Sequence, residues 1–165
     1  MAKTYEPIAT TTVSNGTTNS VEFTSISGNY TDLIIVASAK YSSAGYVIEM
    51  TFNSDTGTNY SYTRITGDGT SAASTRFTSQ SKAFGGWTGA SAFAANVVQI
   101  MNYSNSTTYK TALTRANPVD DRVAAYVSLW RSTSAITSIK LTLEGGATNY
   151  YTSGSSFTLY GIKAA

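Results

Sequence analysis

Tyr46-Val47-Ile48-Glu49-Met50-Thr51-Phe52-Asn53 decides the fold class of this 165-residue chain. Tyr46, Ile48, Met50 and Phe52 alternate with Val47, Glu49, Thr51 and Asn53. Successive strand side chains point to opposite faces, so this period of two buries one face of a sheet and wets the other. Working outward, Val21 and Phe23 alternate in the same way, as do Ile139, Leu141 and Leu143. Val123, Ala125, Val127 and Leu129 alternate with Ala124, Tyr126, Ser128 and Trp130. Tyr60, Tyr62 and Arg64 fall on one face with Ile65 on the other, and Phe157, Leu159 and Gly161 oppose Tyr160 and Ile162. Leu33-Ile34-Ile35-Val36-Ala37 is apolar on both faces, which predicts a central strand sandwiched between layers.

Turn clusters separate these runs: Asn15-Gly16, Ser27-Gly28-Asn29, Ser42-Ser43-Ala44-Gly45, Asn53-Ser54-Asp55-Thr56-Gly57, Asn102 to Ser106, Asn117-Pro118 and Glu144-Gly145-Gly146. Residues 67–89 read as one long excursion with a short strand around 74–81, and Ala92 to Ala95 allow a short helix. The sum is an all-β chain: a single antiparallel β-sandwich, jelly-roll-like, with about nine or ten strands. Residues 1–20 form a polar arm or edge strand, and 21–165 the sandwich domain.

Charged residues make up 12% of the chain, against about 25% in ordinary soluble domains. Ser and Thr supply about 30%. A surface this poor in charge resists self-association weakly and suits coverage by neighbouring subunits. Net charge is +2, and the eleven basic residues are spread singly, so no patch tracks phosphates and no nucleic-acid partner is expected. Met1 to Pro7 lacks the apolar stretch of a signal peptide, and no apolar run approaches the ~20 residues of a membrane span. With Met1 as the start, synthesis in the cytoplasm and release by lysis are expected, with no membrane partner.

The chain has no His and no Cys. That excludes a Ser-His-Asp triad, a Cys nucleophile and the usual zinc site. Gly67-Asp68-Gly69 is not a phosphate loop opening a helix. Asp120-Asp121 is the one adjacent acid pair, and neighbours in an extended strand point apart. Asp55, Asp68 and Asp120/Asp121 could join carbonyls around calcium, but no EF-hand spacing accompanies them. The expectation is no enzyme, no cofactor and no metal.

Aromatics remain. Twelve Tyr exceed what a core readily takes, because each buried hydroxyl needs a partner. Trp87, between Gly85-Gly86 and Thr88-Gly89, and the pairs Tyr60/Tyr62, Tyr103/Tyr109 and Tyr150/Tyr151 are the candidate contact surface. Flat amphipathic rings suit a sugar face or a protein interface.

Several segments are similar to small β-rich structural proteins of tailed bacteriophages, of the decoration or tail-fibre type. They are Val21-Glu22-Phe23-Thr24-Ser25-Ile26 with Tyr30 to Val36, Phe52-Asn53 with Asn59-Tyr60-Ser61, Gly67-Asp68-Gly69-Thr70, Asn102-Tyr103, and above all Gly154 to Lys163. The resemblance runs from about Tyr5 to Lys163 and carries strand and turn patterns, with no catalytic residues. It implies a virion component: first, a capsid decoration (cement) protein, a homo-oligomer such as a trimer bound to the major capsid protein. The alternative it implies is a tail-fibre or receptor-binding module that recognises host-surface glycans.

Overall fold

The computed structural model describes residues 4–41, 46–117 and 122–163, apart from the side chain of Ala147. The turn at Ser42 to Gly45, Pro118 and the Asp120-Asp121 pair lie outside the described residues. The strands are β1 (Tyr5–Thr12), β2 (Ser20–Phe23), β3 (Asp32–Ala39), β4 (Val47–Phe52), β5 (Tyr60–Gly67) and β6 (Ala72–Gln80). They continue with β7 (Ala83–Trp87), β8 (Ala94–Met101), β9 (Lys110–Ala116), β10 (Val123–Trp130), β11 (Ile139–Leu143) and β12 (Ser156–Ile162). The only helical turn among the described residues is a 3₁₀ turn at Gly146–Thr148, and no helix is long and apolar enough to cross a membrane.

Pairing is nested and antiparallel. β1 pairs with β12, β2 with β11, β3 with β8 and β4 with β7. The first half of the chain thus runs back along the second, and that long ribbon rolls into two facing sheets. The four-stranded sheet has the order β2-β11-β4-β7. The other begins β1-β12-β3-β8, which completes the jelly-roll wrap of eight strands. Two further hairpins, β5–β6 and β9–β10, extend this sheet beyond β8 to give β1-β12-β3-β8-β9-β10-β5-β6.

The core lies between the sheets. Ile48, Met50 and Phe52 of β4, with Leu141 and Leu143 of the neighbouring β11, face Leu33 and Ile35 of β3 and Phe157 and Leu159 of β12, all almost fully buried. β1 is an edge strand, and Pro7 stands exposed on it, where a missing N–H costs no ladder bond. A bulge between Pro7 and Ala9 turns Ile8 onto the core.

The structure corrects four expectations. Among the described residues there are twelve strands rather than nine or ten. Residues 67–89 are not one excursion: an Asp68-capped turn joins β5 to β6, β6 extends the short strand expected around 74–81, and β7 follows as a second strand. Residues 92–95 form no helix, since Ala94 opens β8. β3 is central in its sheet, but only Leu33, Ile35, Ala37 and Ala39 are covered, while Val36 is 45% exposed on the opposite face. A run apolar on both sides predicts two covering layers. Here the second layer is absent among the described residues.

Candidate functional site

The structure divides the aromatic candidates. Tyr60, Tyr103 and Tyr151 are completely buried and belong to the core, not to a contact surface. Tyr60 lies against Trp130 and Phe52. Its hydroxyl accepts from the Phe52 N–H at 3.0 Å and donates to the Asp55 carbonyl at 3.1 Å. Burial pushes the Tyr60 hydroxyl up to about 12. The Tyr103 hydroxyl donates to the Ser27 carbonyl and ties two loops together. Tyr151 packs edge-on against Phe157. Tyr109 stands 55% exposed after the turn that follows β8, and Tyr150 is half-buried before β12. Each sequence pair is therefore split between core and surface.

The acids singled out in the sequence are held in turns. The Asp55 carboxylate accepts from Trp130 Nε1 at 2.7 Å, Asn59 Nδ2 at 3.0 Å and the Gly57 N–H at 2.8 Å. Burial would raise its pKa, but these donors outweigh burial and hold it below 3.8. Asp68 accepts the Ser71 and Thr70 N–H groups, which hold its carboxyl well below the usual range. Among the described residues no three acids converge on a common point.

Tyr62 and Trp87 do come together. They line one cleft of about 180 Å³ with Val47, Phe77, Phe84, Tyr126, Arg64 and Glu144. An adjoining hollow of about 140 Å³ shares Val47, Tyr62, Phe84 and Glu144, and adds the ion pair of Lys82 with Glu49. The cleft exists because the enlarged sheet curls around the edge of the small one. β7 is that edge, and its backbone is received by inward side chains of β9 and β10. Thr114 Oγ1 donates to the Phe84 carbonyl at 2.9 Å, and Ser128 Oγ accepts the Phe84 N–H at 3.4 Å. Beyond this seam, β5 and β6 rise as a wing that brings Tyr62 and Phe77 alongside Phe84.

The site is rigid. Asn96 of β8 brackets Trp87, accepting its N–H and donating to its carbonyl, both at 2.8 Å. Gly86 has a φ of +146, and a Cβ there would sit 2.5 Å from Asn96 Oδ1. Glycine at this position thus permits the bracket, and Trp87 belongs to a clamped strand rather than an unsupported loop. Trp87 Nε1 donates to the Tyr126 hydroxyl at 3.0 Å. Phe84 and Tyr126 stack in parallel, Tyr62 stacks on Phe77 at 4.6 Å, and the Arg64 guanidinium lies 5.7 Å from the Phe77 ring centre. Burial raises the Tyr62 hydroxyl, and Tyr126 and Glu144 push it further, while Arg64 opposes them.

A second feature was not singled out in the sequence. Val36, Val97, Arg115, Ala125 and Ile65 lie in one cross-strand row on the outer face of the large sheet. Ile34, Gln99, Leu113 and Val127 form the next row. A groove of about 620 Å³ crosses one end of this face, with Ile65, Val97, Val123, Ala125 and Arg115 in its lining. The signal was present in β10, whose residues 123, 125, 127 and 129 are all aliphatic, but alternation does not say which face turns inward.

The chain matches no protein-family model, no curated protein and no solved structure.

Proposed function

We propose that the chain is a virion structural protein of a tailed bacteriophage, assembled in the host cytoplasm. In this reading it is a capsid decoration protein that stabilises the head by packing against the major capsid protein. The observation that carries the reading is the outer face of the large sheet. Nine large hydrophobic side chains are exposed among the described residues, and six of them (Val36, Ile65, Met101, Leu113, Val123 and Val127) stand on this one face. Scattered exposed aliphatics are ordinary, but a contiguous set marks an interaction surface.

Size is consistent with that use. β3, β8, β9, β10 and β5, spaced about 4.8 Å apart, give a face about 20 Å across. A standard interface takes about 800 Å² per partner, and the protein's accessible surface is 8113 Å². The low charge of the chain fits a part that works under cover, and the resemblance to phage structural proteins points the same way. The assembled form is proposed to be a homotrimer, which multiplies modest contacts by avidity.

The test is sedimentation of the purified protein with undecorated heads. Stoichiometric co-sedimentation and a rise in the temperature of head disruption are expected, both reduced by Val127→Asp. Wild-type protein that neither binds nor protects heads refutes the reading.

A further inference from the structure

We infer that the cleft between Trp87 and Tyr62 is a binding site for a single neutral sugar ring, such as the terminal hexose of a glycan. This inference does not rest on docking through the outer face, which lies on the other side of the large sheet from Tyr62 and Tyr126.

The argument starts from shape. A hollow of about 180 Å³ opening into another of about 140 Å³ admits a six-membered ring and its substituents but no helix or strand. Aromatic rings supply part of the wall, namely half-buried Trp87, Tyr62 and the Phe84–Tyr126 stack, and polar groups supply the rest. Sugar rings present a face of C–H groups, which packs on aromatic surface and is poorly served by water. Their hydroxyls, by contrast, each require a donor and an acceptor. The rim supplies both from opposite elements. Arg64 on β5 carries five guanidinium N–H donors and uses only part of them, on the Tyr126 hydroxyl and on a 3.5 Å contact to Thr75. Glu144, after β11, is exposed and makes no side-chain hydrogen bond to another described residue. Glu49 and Lys82 are already paired with each other.

Charge narrows the ligand. Arg64 and Lys82 face Glu49 and Glu144 across the two hollows, so the charged side chains that line them balance and form no cluster of cations for an anionic sugar. Rigidity favours recognition as well, because Asn96 fixes Trp87 before any ligand arrives.

Two-dimensional amide NMR of the full chain tests this. The chain has two Trp, so two indole N–H signals are available. Trp87 reports the cleft, and Trp130, 2% exposed and bonded to Asp55, is the internal reference. Lactose, maltose, methyl mannoside and N-acetylglucosamine are titrated in turn, with N-acetylneuraminic acid as the charged comparison. At least one neutral sugar is expected to move the Trp87 signal and leave that of Trp130 in place. Its affinity should be about millimolar, the range open to a ligand of about a dozen non-hydrogen atoms. Glu144→Gln and Arg64→Gln, both at the rim and not in the core, are each expected to weaken binding by about tenfold or more. The inference is overturned if no neutral sugar moves the Trp87 signal up to about 50 mM. It is equally overturned if both rim variants bind as the wild type does, or if N-acetylneuraminic acid binds best.

Discussion

β4 and β10 carry the same alternation and use it in opposite senses. In β4, Ile48, Met50 and Phe52 turn into the core and leave Val47, Glu49 and Thr51 half-buried. In β10, the aliphatic set Val123, Ala125, Val127 and Leu129 turns outward, and Ala124, Tyr126, Ser128 and Trp130 turn in. The difference lies in what each strand faces. β4 belongs to the small sheet, so its inner neighbours are the aliphatic residues of a sandwich. β10 belongs to the extension, where the inner neighbours are the backbone of an edge strand and a tryptophan. Those need hydroxyls, an aromatic stack and hydrogen-bond partners, and the inward side of β10 supplies them. Apolar residues on the other side are then free to serve contacts outside the chain.

The largest expected break in this contrast comes from the core. Leu141→Ala, at a residue 1% exposed between the sheets, should cost about 2–5 kcal/mol in a denaturant titration. A loss below about 1 kcal/mol would mean that the small sheet does not seal the sandwich. Next comes the seam at β7. Gly86→Ala forces a Cβ against Asn96 at a positive φ and should cost about 1–3 kcal/mol. It should also change the emission of Trp87, whose bracket it breaks. An unaltered melting temperature would contradict the tight seam.

A smaller effect is expected where the β4–β5 turn is stapled to the end of β10. Asp55→Asn removes the carboxylate that accepts from Trp130, Asn59 and Gly57. The site is partly open to solvent, so about 1 kcal/mol is expected. The folded-state pKa lies below 3.8, so the wild type holds this contribution above that pH and loses it as pH falls through the lower folded value. Asp55→Asn should therefore flatten stability against pH below about 4. A wild-type profile already flat there would remove the carboxylate from the account. The smallest effect on folding is expected outside. Val127→Asp, at a site 53% exposed, should shift stability by no more than about 0.5 kcal/mol, although it is expected to impair docking to heads. A large loss of stability would show that this face is covered within the folded chain.

Much of the architecture was legible. Period-two runs placed β2, β4, β10, β11 and β12, and turn residues such as Asn53, Asn102 and Gly145 sit at positive φ as turn chemistry requires. β6 was legible only as a short strand around 74–81, and β7 was not legible. β6 lies at an edge with few buried residues. β7 contains Gly85 and Gly86, which read as a loop but are glycines because the strand passes too close to Leu141 and Asn96 for any side chain. Of the candidate site, the sequence offered Tyr62 and Trp87. Phe77, Phe84, Tyr126, Arg64 and Glu144 come from elements distant in the chain, and only the curl of the large sheet gathers them.

Local order along the chain was enough to determine that this protein is built from strands, because side-chain period is a property of neighbouring residues. It also fixed the absence of imidazole and thiol chemistry, which depends on composition alone. Which face of each strand is buried, which tyrosines are core and which line a cleft, and where the apolar surface lies were decided by tertiary structure. Those outcomes depend on the partner that each strand meets across the sandwich, and alternation is blind to the partner.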